Sequence, residues 1–397
     1  MGERRLNLHD QNDLTGFLRE LVQIPSPSTR EDPVAQRIVA EMTRLGFEDV
    51  HIDRMGSVVG RVGPGHGPVL MLNGHMDTVE VSAPECWDHP PYGAEIRDGT
   101  LFGIGACDMK GGLAAMIYGV KLLIDSGADL AGDIVVACVV QEEPSEGLGT
   151  RALIEDEGIR PDWVVLAEPT NLDVARGHRG RLEMRLTADG RAAHAACPDL
   201  GDNAIYTAAR LVFGLELLSG QLGTDDFLGP GSLSVTAISS RACSRNAVPD
   251  QCEVIIDRRL TLGENEAKAI AEVQRVITRE GVQARVEVTE YETTSYTGTT
   301  RRTRQCYPAW VIAEDHPLVA AAVQAVRTQL KVRPQVTRWS FSTEGAYTAG
   351  SARIPTVGFG PGEPNVAHTA NEHVRLADVH SAAEVYAQLA SILLGER

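Results

Sequence analysis

Four apolar stretches of this chain have the character of buried strands, and each runs out at an acidic residue or a histidine. Val69-Leu70-Met71-Leu72 leads into Gly74-His75-Met76-Asp77, Ile134 to Val140 into Gln141-Glu142-Glu143, and Val164-Val165-Leu166 into Glu168-Pro169-Thr170. Pro355 to Phe359 leads through a Gly/Pro loop to His368. In a parallel α/β sheet the carboxyl ends of the strands border the ligand crevice, so side chains placed there converge although they lie far apart in sequence. Asp108, at the start of a predicted helix, joins them. Two histidines, three carboxylates and a spare glutamate amount to a metal site with a base beside it.

The texture between these strands sets the architecture. Leu14 to Leu21 and Pro33 to Leu45 read as amphipathic helices, and Gly112 to Ile124 has apolar residues at helical spacing. Strands and helices alternate through residue 170, which predicts an α/β fold with a mixed, mainly parallel sheet flanked by helices. Past Gly177-His178-Arg179-Gly180 the pattern changes to strand Leu182 to Thr187, helix Asp202 to Leu218 and strand Ser232 to Ile238. Strand Cys252 to Leu260, helix Glu264 to Ile277 and strand Ala284 to Val288 complete a ferredoxin-like β-α-β-β-α-β unit. The strand before His368 must rejoin the first sheet, so the small unit is an insertion. The expected boundaries are 1–180 for the first part of the larger domain, 181–292 for the insert and 293–397 for the return. Residues 293–310, rich in Thr, Arg and Gly at their start, read as a linker, and hinges are expected near Gly177 to Gly180 and Thr293 to Arg304.

A length of 397 residues suits more than one core. Net charge of −17 argues against nucleic acid or an anionic membrane as partner, because both need a basic footprint. No run approaches the roughly 18 apolar residues of a membrane span, and Met1-Gly2-Glu3-Arg4-Arg5-Leu6 lacks the apolar centre of a signal peptide. A cytoplasmic location is expected. Seven scattered cysteines without CxxC spacing suit free thiols, so thiolate ligation is not expected either.

Zinc-like dications take imidazole nitrogen and carboxylate oxygen, and a catalytic site keeps a position open for water. His75, Asp108, Glu143, Glu168 and His368 suit that chemistry. Five ligands exceed what one catalytic zinc takes from protein, so two metals sharing a carboxylate is the simpler reading. Asp77 follows His75 by two residues, which puts both side chains on one face of an extended segment, as a carboxylate that fixes the ring's orientation requires. Glu142 and Glu143 are adjacent and point apart, so one can bind metal while the other faces the open position as a base.

Gly74-His75-Met76-Asp77-Thr78-Val79, Gly105-Ala106-Cys107-Asp108-Met109-Lys110-Gly111-Gly112, Gln141-Glu142-Glu143 and Ala167-Glu168-Pro169-Thr170 together resemble the dinuclear zinc amidohydrolase and peptidase family. Its members include acetylornithine deacetylase, succinyl-diaminopimelate desuccinylase, aminoacylase and glutamate carboxypeptidase. Trp339-Ser340-Phe341-Ser342-Thr343, Ile256-Asp257-Arg258-Arg259-Leu260 and Gly358-Phe359-Gly360-Pro361-Gly362 look most like the branch called selenium-metabolism-linked hydrolases. The resemblance implies a zinc-peptidase fold whose insert serves as lid and dimerisation domain. It also implies two divalent ions, zinc with cobalt or manganese as substitutes, and a cis peptide at Asp108–Met109.

By the same resemblance Asp108 bridges the metals, His75 and Glu168 hold one, Glu143 and His368 hold the other, Glu142 is the general base and Asp77 orients His75. His194, in Ala192-Ala193-His194-Ala195, matches a histidine that reaches from the insert of a partner subunit to polarise the scissile carbonyl. Asn246 and Arg258 match positions that hold a substrate carboxylate, with a plain ion pair to Asp257 the competing reading of Arg258. Ser342 and Thr343 fill the place of a substrate-facing loop, in which Glu344 matches a residue of acetylornithine deacetylase. Cys107 reads as a packing residue. The implied function is cleavage of the amide of an N-acyl amino acid or a related small amide by metal-bound hydroxide, in a homodimer that takes a small-molecule substrate. A dipeptidase or glutamate-type carboxypeptidase is the alternative, and a non-catalytic binding paralogue a more distant one.

Overall fold

The computed structural model describes residues 4–395, so Met1 to Glu3 and the last two residues, which the readings of the N-terminus and the outer boundaries include, lie outside it. Nine strands form the larger sheet. At its centre Asp133–Val139, Val69–His75, Trp163–Leu166 and Thr356–Gly358 lie side by side and parallel. The carboxyl ends of all four therefore open on one edge, as the sequence requires.

Asp133–Val139 is buried along its whole length, and successive residues face opposite sides of the sheet. Ile134, Val136 and Cys138 join one apolar core with the helices Leu8–Gln23, Asp32–Arg44, Gly111–Asp125, Pro317–Leu330 and Leu376–Leu394. Val135, Ala137 and Val139 join a second core with Leu153, Trp310 and Trp339. The helix Gly111–Asp125 comes so close to the strand end that a Cβ on Gly112 would lie 2.2 Å from the carbonyl oxygen of Ala167. Only glycine lets the helix that follows Asp108 pack against the residue beside Glu168.

Gly180–Asp189, Ser232–Arg241, Gln251–Leu260 and Ala284–Val288 form the second sheet. Their spatial order places the fourth beside the first, then the third, then the second, which is the split β-α-β arrangement. The helices Ala204–Ser219 and Glu266–Glu280 cover one face and supply its separate core. Between the sheets the chain crosses twice. Only Arg179 separates Val174–His178 from Gly180–Asp189, and Cys306–Tyr307 and Trp310–Val311 return antiparallel alongside them. A Cβ on Gly180 would lie 2.5 Å from the carbonyl oxygen of Tyr307, so the crossing segments are in tight contact.

The expected linker departs from the sequence reading. Glu290–Thr294 pairs with Thr300–Arg304 in an antiparallel hairpin. Its tip is fastened to the larger unit, because the Tyr296 hydroxyl donates to the carbonyl of Gly56 at 2.6 Å and Thr299 to that of Arg54 at 2.7 Å. Alternate residues of this ribbon are half-buried, but apart from Tyr291, which packs against the main core, they are Thr and Arg, so no apolar alternation announces it. A free hinge at 293–304 is replaced by an anchored strand pair.

Candidate metal centre

At the carboxyl edge of the larger sheet, His75 sits on the last residue of its strand and is 1% exposed. Its Nδ1 lies 2.8 Å from the backbone carbonyl of Asp77. A carbonyl can only accept, so Nδ1 carries a proton toward the main chain, which leaves Nε2 as the ring nitrogen that faces the site. Nε2 lies 3.0 Å from Asp108 Oδ1 and 3.7 Å from Glu168 Oε1. On the other side His368 Nε2 lies 3.4 Å from Asp108 Oδ2 and 3.0 Å from Glu143 Oε2. Each oxygen of Asp108 thus faces a different histidine. Asp108 sits in a kinked segment ahead of the helix, and the Asp108–Met109 peptide is cis.

Two sets of donor atoms are close enough to surround an ion, His75 with Asp108 and Glu143, and His75 with Glu142 and Glu168. Their electrostatics show a shortage of positive charge. Burial pushes the Glu142 carboxyl well above its ordinary range, and Glu344 and Glu168 add to this against the pull of His75. Burial raises Glu168 too, with Asp108 adding to it, and raises Glu143 against its hydrogen bond from His368. For Asp108 burial works upward as well, but hydrogen bonds from His368 and His75 hold it below its usual value. His368, hydrogen-bonded to Asp108 and Glu143, is pushed up to about 11. Glu142 Oε1 is buried with no hydrogen-bond partner among the described residues. Buried carboxylates and imidazoles with too little compensating charge fit divalent cations, which supply it. The Cys107 thiol donates to the carbonyl of Glu363 at 3.4 Å and belongs to neither of the two donor sets, which suits packing.

Asp77 is adjacent, but it works differently from the expectation. Its Oδ1 lies 3.7 Å from the His75 ring, whose hydrogen bond goes to the main chain, reached first because the ring folds back over the two residues after it. The Asp77 carboxylate instead accepts the N–H groups of Glu142 at 3.0 Å and Glu143 at 3.2 Å and the Ser28 hydroxyl at 2.7 Å. Glu372, which the sequence did not single out, plays a similar part, since its Oε1 accepts from Cys107 N at 2.9 Å and Asp108 N at 3.0 Å. Partners of backbone N–H groups leave no spacing in a sequence. The one available signal was an acid four residues after His368.

A cavity of about 330 Å3 opens over the centre. Asp108, Glu142, Glu143, Glu168 and His368 line it together with Arg181, Arg259, Phe341 and Ser342. Ser342 therefore lies where expected. Thr343 is fully buried, does not bound the cavity, and accepts the N–H of Gly345 on its hydroxyl at 3.1 Å.

Arg258 does not reach the cavity. In Gln251–Leu260 every second residue, Cys252 to Leu260, turns to the helix-covered face, and Arg258 is in phase with them. Its side chain is 1% exposed and bonds Glu264 at 2.9 Å and Glu272 at 3.2 Å. Arg259 takes the other face, pairs with Asp257 at 2.7 Å and stands across from Arg181. Both features expected of Arg258, a place at the cavity and the competing ion pair with Asp257, thus belong to Arg259. Arg258→Ala should cost about 3–5 kcal/mol of stability by stranding buried carboxylates, whereas Arg259→Ala should leave the melting temperature near wild type and raise KM. A raised KM with unchanged stability in the Arg258 variant would reverse the assignment.

His194 and Asn246 lie together on an exposed tip of the smaller unit, where Ala195 N donates to the carbonyl of Asn246 at 2.8 Å, and neither bounds the cavity of its own chain.

Comparison with known proteins agrees with this architecture. Residues 71–392 match the family described as peptidase family M20/M25/M40. The uncharacterised protein YgeY of Escherichia coli strain K12 is 40% identical over 380 residues, 96% of this chain and 94% of its own. Succinyl-diaminopimelate desuccinylase 2 of Shewanella loihica is 30% identical over 384 residues, 94% of this chain and 98% of its own. Among solved structures, the Bacillus subtilis YXEP protein, described as a dinuclear metal binding peptidase of the M20 family, has the same fold. It matches with a TM-score of 0.72 at 16% identity, over 98% of this chain and 100% of its own. With a match across most of its length and a 40% identical relative along nearly all of it, the chain belongs to peptidase family M20/M25/M40.

Proposed function

We propose that this protein is a metal-dependent hydrolase that cleaves the amide of an N-acyl amino acid or a related small amide. The observation that carries the reading is Asp108 with one oxygen toward His75 and the other toward His368, beside Glu142, which has an oxygen without a partner among the described residues. Asp108 is assigned as the shared ligand of two divalent ions, with His75 and Glu168 on one and Glu143 and His368 on the other. Nitrogen and oxygen donors without thiolate favour zinc, with cobalt or manganese able to replace it. When bound, such ions polarise a carbonyl and lower the pKa of water.

The remaining chemistry belongs to the chain. Glu142, buried and raised in pKa, takes the proton of the attacking water and passes it to the leaving nitrogen. Arg259, which bounds the cavity, is assigned the substrate carboxylate, and Ser342 a polar contact to the acyl side. His194 and Asn246 serve the cavity of a partner subunit. Exposed Tyr206, Phe213 and Leu217 on one helix, and the edge strand Ser232–Arg241, support a homodimer through the inserted unit, residues 181–292. No helix of the described residues is long and apolar enough to cross a membrane, and we assign the protein to the cytoplasm.

Glu146 favours the dipeptidase alternative, because it is an acid that bounds the cavity, pairs there with Arg181 at 3.2 Å, and keeps a second, buried oxygen without a partner among the described residues, a group that would suit an ammonium. A metal-replete screen of N-acyl amino acids, dipeptides and carbamoyl compounds decides between them. Turnover of acetylated amino acids above dipeptides is expected, the reverse order selects the dipeptidase, and no turnover of any amide would end the hydrolase reading.

A further inference from the structure

The chain reverses sharply where the catalytic glutamates begin. Gln141 has φ of +56°, in the left-handed region that non-glycine residues seldom occupy. Such a conformation costs on the order of 1–3 kcal/mol and persists only where the surroundings enforce it. The turn matters because it sends Glu142 toward His75 and Glu168 and Glu143 toward Asp108 and His368.

Three successive N–H groups leave this turn, and two buried carboxylates receive them. Gln141 N donates to Glu31 Oε1 at 3.2 Å, and Glu142 N and Glu143 N donate to the two oxygens of Asp77. Glu31 is fully buried and occupies the N-cap of the helix Asp32–Arg44, yet it makes no capping hydrogen bond to that helix. Capping positions favour Ser, Thr, Asp and Asn, whose short side chains reach back to the helix. A longer side chain there instead spans to a turn 110 residues away in sequence. The Gln141 side chain is also buried and has no hydrogen-bond partner among the described residues, so it does not hold the turn itself.

We infer that Glu31 is a positioning residue which, with Asp77, clamps the Gln141 turn and so aims Glu142 as base and Glu143 as ligand. The inference rests on the proposed metal site and base, and on no particular substrate. Glu31 touches neither substrate nor metal, so its effect must pass through the two glutamates.

The test compares Glu31→Ala with Glu31→Gln, which keeps an acceptor oxygen for Gln141 N. Zinc binding to metal-stripped protein is titrated calorimetrically, and kcat and KM are measured on the best substrate of the screen. In Glu31→Ala, kcat is expected to fall at least tenfold with KM within twofold. The weaker of the two zinc affinities should drop about 10- to 100-fold, the usual effect of removing an outer partner of a ligand. Glu31→Gln should recover most of both. Wild-type kcat and zinc affinity in Glu31→Ala would overturn the clamp, and so would equal damage in both variants, which would make the charge or the fold the cause. If the wild type hydrolyses no amide, the proposed reaction fails while the zinc titration still reports on Glu31.

Discussion

Replacing Glu142 by alanine should lower kcat by about a hundred- to ten-thousand-fold, the usual share of a positioned acid–base group, with both metals still bound. The metal count is the informative control. Glu142 is close to His75 and Glu168 as well as to the cavity, so a loss of one metal in the variant would make it a ligand and not the base. A second outcome follows from the exposed placement of His194. Inactive Glu142→Ala chains mixed with inactive His194→Ala chains should recover part of the activity, because one of the two cavities in a mixed dimer then has both groups intact. Verified mixed dimers without activity would remove His194 from a role across the subunit boundary.

Substituting Asp108 should have an effect at least as large, through a different quantity. Among the described residues it is the single one whose oxygens face both His75 and His368, so Asp108→Ala should weaken binding at both positions. The loss should exceed the roughly 10- to 100-fold that follows removal of an outer hydrogen-bond partner. Chelator treatment of the wild type should abolish turnover reversibly, while added zinc should not rescue the variant. Metal analysis showing two ions held at wild-type affinity by Asp108→Ala would place the shared ligand elsewhere.

The centre was legible because each apolar run stops at a residue with chemistry to perform. His75, Glu142, Glu143, Glu168 and His368 could be gathered from the ends of predicted strands with no knowledge of their distances. Specificity residues were harder, since the choice between Arg258 and Arg259 is one of strand parity, and a shift of one residue exchanges buried and cavity faces. The alternating burial of Cys252, Val254, Ile256 and Leu260 carries that information and assigns Arg258 to the covered side. Thr343 failed similarly, turned inward by the hydrogen bond it accepts from Gly345. Glu31 and Glu372, which hold backbone N–H groups, are the least visible, because a main-chain donor exists at nearly every position and marks none of them, and Asp77 was found only through its spacing from His75.

The paired crossing between the sheets has a mechanical consequence. Two antiparallel strands in tight register resist sliding past one another and yield most readily by bending out of their common plane, so a hinge at Arg179 and at Pro308, which lies between Cys306–Tyr307 and Trp310–Val311, would have one soft axis. The anchored hairpin at Arg54 and Gly56 adds a second stay that further restricts the swing. Arg181 lies beside the pivot and travels little, whereas Gly180–Asp189 extends about 3.3 Å per residue outward from it. The far end, which bears His194 and Asn246, is the tip of a lever roughly 30 Å long. A few degrees of bend would leave the arginines of the chain's own cavity in place and carry the tip by ångströms, so the groups offered to a partner would move while those of the chain's own site stay set.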